Sequence, residues 1–212
     1  MAGLPGLSRL IQGESERVIW LQQLRGLPCL DMTTRYHAGR CDADTVKDEE
    51  IVQANDIRLL FDYSYAATGR ILDAASCLTT EEFTAPPPLN GAVSLHHTLV
   101  HTLWAEQAWR EGLRTRGADE VEEFAPEAFP DVATLAQDWH SDELKMRAWL
   151  DTLDDTDLST TAFEGVKVWM CLAHLLNHST QHRSEAAMIL THWGQSPGEL
   201  DFTFYLRGWS DD

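Results

Sequence analysis

From Asn55 onward apolar residues recur at three-and-four spacing, the period of a helix that buries one stripe. Ile57, Leu60, Phe61, Ser64, Thr68, Ile71, Leu72, Ala75 and Leu78 share one stripe, and with Asn55 as its cap they predict a first helix ending near Thr79. The run Pro86-Pro87-Pro88 and the pair Asn90-Gly91 forbid helix before a new start at Ser94. A second helix is predicted from there to about Arg116, turning Leu95, Thr98, Leu99, His101, Ala105, Ala108 and Trp109 inward. Residues 117–130 carry five carboxylates and two prolines and read as a solvated loop. Asp131 caps a third helix whose stripe is Val132, Leu135, Trp139, Met146, Trp149, Leu150 and Leu153. After an irregular connection over 154–167, a fourth helix spans Val168 to Trp193, stopped by Gly194 with Pro197 beyond. Its stripe is Leu175, His178, His182, Ala186, Ile189 and Trp193, so two imidazoles interrupt an apolar face. A short element from Glu199 to Leu206, bearing Phe202, Phe204 and Tyr205, is expected to pack on the bundle or on a partner chain.

Four long helices, joined by connections too short or too acidic for strands, indicate an all-α helical bundle. The pattern assigns residues 51–212 to that bundle domain and residues 1–50 to an N-terminal extension. Gly3, Pro5, Gly6, Gly13, Gly26, Pro28 and Gly39 break its periodicity, leaving room for a short helix over Arg17 to Leu27. Met32 is an alternative start for the compact domain. A chain of 212 residues, 43% of them apolar, is long enough for one sizeable core.

Charge narrows the choice of partners. The first fifty residues hold six basic and eight acidic side chains, the rest ten and twenty-six, so nearly all of the net charge of -18 falls on the folded part. Nucleic-acid binding needs clustered Lys and Arg to displace counterions from phosphates, and no such cluster occurs there. Four cysteines without a CxxC pair fit a reducing compartment, and the cytoplasm is the expected location. No export signal or membrane span of roughly 20 apolar residues is read.

Histidine spacing carries the chemistry. Nine His placed at random in this length give about 0.4 pairs at i, i+4, yet three occur: His97/His101, His174/His178 and His178/His182. Imidazoles on adjacent turns can direct nitrogens to one point about 2.0–2.1 Å from each. His178 and His182 form such a pair, and His101, midway along the second helix, is placed to complete a three-histidine site for one divalent ion. His97 and His174, each one turn from a proposed ligand, compete for that role or could hold a ligand's other nitrogen. Glu106 and Glu185 are the carboxylates near enough to act as general base or hydrogen-bond acceptor, against the plainer reading of a solvated face. Cys171 reads as a small packed side chain, with no cation set beside it to make it a nucleophile.

The segment Asn177-His178-Ser179-Thr180-Gln181-His182-Arg183 resembles the N-H-x-x-x-H-R signature of the DinB/YfiT-like family. The resemblance extends to Leu60-Phe61-Asp62-Tyr63, to Leu99-Val100-His101-Thr102-Leu103-Trp104-Ala105-Glu106 and to Gly194-Gln195-Ser196-Pro197, covering roughly residues 55–206. It implies a DinB/YfiT-like four-helix bundle of unusual connection order, often homodimeric, with metal ligands at His101, His178 and His182. The implied ion is nickel or zinc, with iron or manganese as alternatives. The family name comes from a damage-inducible gene and implies no DNA synthesis. The chain departs from its relatives at Ala66-Ala67-Thr68, where Trp-Ala-Asn is frequent, and at Arg183-Ser184-Glu185, where Arg-Gly-Gln is frequent; neither departure touches a ligand.

Three functions remain open at this point. The first is an enzyme that activates a low-molecular-weight thiol, such as bacillithiol or mycothiol, and transfers it to a small electrophile or uses it to isomerise one. The second is a metal-dependent hydrolase in which Glu106 or Glu185 relays protons. The third is a non-catalytic metal-binding stress or interaction protein working through a surface such as Trp193 and Phe202 to Trp209.

Overall fold

A computed structural model describes residues 52–88, 92–117 and 121–209. The extension and its expected short helix lie outside the described residues. Helices α1 (Ala54–Ala75), α3 (Leu95–Arg114), α4 (Val132–Leu150) and α6 (Val168–His192) form the bundle. Short helices α2 (Thr80–Thr84), α5 (Asp155–Ser159) and α7 (Phe202–Leu206) decorate it. The chain is all-α but for one correction: the connection expected to hold no strands folds into a small hairpin, Thr161–Phe163 against Val166–Lys167. Glu164 and Gly165 turn it with positive φ of 42° and 83°, the backbone a two-residue hairpin loop requires.

Cap chemistry explains the helix starts. Ser94 and Asp131 accept from the backbone N–H of His97 and Thr134, satisfying donors that the first turn leaves over. The first helix differs from expectation. It begins at Ala54, one residue before the proposed cap, because Asp155 Oδ1 accepts from Ala54 N at 2.7 Å across the bundle. Asn55 instead accepts from Arg58 Nη1 at 2.9 Å. At the other end of the bundle's sequence Gly194, with φ 77°, ends α6 as expected.

Helix α6 packs on α1 and α3, and α4 packs on the same two from the opposite corner, so α1 and α3 lie across a diagonal. Arg58 Nη2 donates to the carbonyls of Leu150 and Leu153 at 3.0 and 2.7 Å, joining the start of α1 to the end of α4. The core gathers Ile57, Phe61, Ile71, Leu99, Leu103, Leu135, Met146, Leu172, Leu175 and Ile189. Periodicity located all of these but Leu103 and Leu172, and it did not foresee the polar groups between them. Asp142 is fully buried and ion-paired with buried Arg110, an arrangement in which each charge offsets part of the other's cost of burial. The terminal element packs within the chain: Tyr63 Oη donates to Leu200 O at 2.7 Å, and its ring lies 4.9 Å from Phe202. Among the described residues no helix is long and apolar enough to cross a membrane.

Candidate metal centre

His101 projects from α3 and His178 and His182 from consecutive turns of α6, all three half-buried. One ring nitrogen from each lies within 4.8 Å of the other two. The Nε2 atoms of His178 and His182 are 3.2 Å apart. Ligands about 2.05 Å from a tetrahedral ion sit about 3.3 Å from one another, so the α6 pair already has the required separation, with a His101 nitrogen within 4.8 Å of both. The donor set fits a divalent ion of the zinc or nickel type, with imidazoles only and part of the surroundings open to solvent.

The sequence of α6 determines which nitrogen faces the cluster. Glu185 follows His182 by three residues on the same helix face, and its Oε2 lies 2.7 Å from His182 Nδ1. With Nδ1 engaged, Nε2 is presented to the cluster, the outer hydrogen bond that sets a ligand histidine's tautomer and angle. That same hydrogen bond is the main reason the Glu185 carboxyl is held below the usual carboxylate range. Its other oxygen accepts from Gln181 Nε2 at 3.3 Å.

Glu106 has a different environment. Five residues beyond His101 it is rotated about 140° around α3, away from the three histidines and into the core. It is 2% exposed, so the solvated-face reading fails for it, and Ser179 Oγ donates to its Oε1 at 3.1 Å. Burial, reinforced by the charge of Asp142, pushes this carboxyl up to about 7.

The competing histidines stand outside the cluster among the described residues. His174 packs its ring 5.1 Å from Trp109 and 6.1 Å from His178, extending a file of rings along the α3–α6 seam. His97 lies one turn before His101. Partial desolvation and then the neighbouring His101 hold its imidazole below the ordinary value, and Glu123 acts in the opposite sense. Cys171 is buried and its thiol is pushed up to about 11, as expected of a packing residue and not of a nucleophile.

Two contributors escaped the sequence reading. Trp104 lies 5.7 Å from the His101 ring and donates from Nε1 to Val121 O at 3.1 Å, tying the chain after α3 to the His101 side. Its position three residues after His101 was the available signal. Ser179, next to a ligand candidate yet buried, was masked because serine alone carries no spacing signal.

A comparison with curated proteins returns no match. The family model described as the DinB family matches residues 51–211, all but one residue of the chain after the extension, and the chain belongs to the DinB family.

Proposed function

We propose that this protein is a metal-dependent enzyme in which His101, His178 and His182 hold one divalent ion that activates a low-molecular-weight thiol for transfer to a small electrophile. The observation that carries this reading is the convergence of three imidazoles, without a carboxylate or thiolate among them, in a half-buried site. A divalent ion with neutral ligands keeps its full charge, acidifies a bound thiol or water strongly and leaves a position for substrate.

The surrounding residues favour thiol over water. Both carboxylates that a hydrolytic reading would use as bases are engaged, Glu185 with His182 Nδ1 and Glu106 with Ser179 Oγ. A thiol starts near pKa 8.5 and needs less help to ionise than water at about 15.7. The chain's own residues position the ligands of the ion: Glu185 fixes His182, and Trp104 covers one side of His101.

The test is conjugation of a small thiol to a chloronitroaromatic electrophile by the zinc- or nickel-loaded full chain. Turnover is expected with wild type and lost with His178→Ala. Equal rates for the two would remove the proposal, and hydrolysis of activated esters without thiol conjugation would replace it by the hydrolase. Glu185→Ala frees His182 Nδ1 and is expected to weaken zinc binding by about 10–100-fold, measured by competition with a chromogenic chelator. An unchanged constant would mean that Glu185 does not orient its histidine.

A further inference from the structure

Each α6 histidine of the cluster is followed immediately by a buried polar residue that ties α6 to another helix. After His178 comes Ser179, 2% exposed, whose Oγ donates to Glu106 Oε1 on α3, the helix that carries His101. After His182 comes buried Arg183, whose Nη1 donates to Ser64 Oγ on α1 at 2.6 Å and whose Nη2 donates to Thr180 Oγ1 at 2.9 Å. Residues 179 and 183 are four apart, as are 178 and 182, so the two tying residues form a row parallel to the two histidines, about 100° around the helix.

This row answers a geometric difficulty. A rotation of α6 by about 10° carries an atom about 6 Å from the helix axis through roughly 1 Å. Metal–ligand distances tolerate about 0.2 Å. The apolar part of the α6 interface, Leu175, Ala186 and Ile189, is held by burial that has no directional preference. Hydrogen bonds are directional, and they weaken steeply off axis. The carboxyl of Glu106 is also costly to bury, so a packed apolar side chain would serve simple stability better.

We propose that Glu106 is a positioning residue of the metal centre: by accepting from Ser179 it fixes the rotation of α6 against α3, and with Arg183 on Ser64 it aims His178 and His182 at His101. The role belongs to the carboxyl as an acceptor, in either protonation state. It rests on the reading of the three histidines as a metal site.

The test is titration of the full-length apo-protein with cobalt(II) alone, reading the dissociation constant and the visible absorption of the bound ion, with the apo thermal midpoint recorded beside them. Glu106→Leu and Ser179→Ala are expected to weaken cobalt binding about tenfold or more and to shift the absorption bands. Glu106→Gln, which keeps an acceptor, is expected to restore affinity and bands close to wild type. Wild-type affinity and spectrum in Glu106→Leu and Ser179→Ala, with only the apo midpoints lowered, would overturn the proposal and leave the metal site standing. If Glu106→Leu does not fold, Ser179→Ala, which removes one hydroxyl, decides by the same two readings. A wild-type chain that takes up no cobalt overturns the metal reading itself, and the positioning role with it.

Discussion

Alanine at His101 is expected to remove most of the thermal stabilisation that zinc confers while leaving the apo-protein close to its wild-type midpoint. Ligand that binds only the folded state stabilises it by about 2.7 kcal/mol at one hundred times its dissociation constant. For a chain of this size each kcal/mol moves the midpoint by about 2–4 °C, so zinc should raise the wild-type value by roughly 5–11 °C. His101 supplies the nitrogen that links α3 to the α6 pair. Without it the remaining two nitrogens sit on one helix, and the rise under the same zinc concentration should fall below about 2 °C. The apo midpoint should change little because the side chain is half-buried and removes no core volume of consequence. His97→Ala should keep the full zinc rise. A full rise in His101→Ala, lost only when His97 is also replaced, would transfer the third ligand to His97.

The same residues show which parts of the architecture could be read in advance. Helical phase placed His178 and His182 on one face, because two residues four apart on a helix have little freedom to diverge. It also placed the stripes of the four long helices, while residue type gave the start at Ser94 and the cap at Asp131. His101 against His97 was not decidable by phase, since both lie on the same face and only the position of α6 along α3 selects between them. The three pairs Trp109 with His174, Glu106 with Ser179 and His101 with His182 show that antiparallel register. Register is set by packing across the whole interface, which no local pattern encodes. Asn55 failed as a cap for a related reason: its competitor, Asp155, lies a hundred residues away in sequence.

For Glu106 the structure keeps the acceptor reading and removes the solvated face, although a buried carboxylate at an interior angle of its helix is expected to be rare. The signal lay in what it faces. Trp139 and Asp142 of α4, Ser179 and Arg183 of α6 and Tyr65 of α1 all bear on the same buried region. Four helices thus contribute polar groups to one layer of the core, and a reader of single-helix stripes sees each as an isolated exception.

That layer has a consequence for stability. The Glu106 carboxyl is raised to about 7 in the folded chain, from an ordinary value of 4.5, chiefly by burial and then by the charge of Asp142. The folded state therefore binds the proton more tightly than the unfolded state, and between pH 4.5 and 7 it holds more protons. Unfolding free energy falls as pH rises wherever the folded state is the more protonated. The Glu106 contribution is complete below about pH 4.5, is lost progressively up to about pH 7 and is flat above it. The total loss is about 3 kcal/mol, each unit of difference being worth about 1.4 kcal/mol. Glu106→Gln keeps the shape and an acceptor for Ser179 but cannot ionise, so its unfolding free energy lacks this slope. Urea unfolding of the metal-free chains at pH 5, 6, 7 and 8 reads the effect of Glu106 together with the groups coupled to it, Asp142 first, because the remaining titrating groups are common to both proteins. The variant should gain on wild type by about 2–3 kcal/mol from the acid to the alkaline end of that range, part of the total having been lost already at pH 5. Parallel curves would mean that Glu106 ionises as readily in the folded chain as in the unfolded one, which its burial between α3, α4 and α6 argues against.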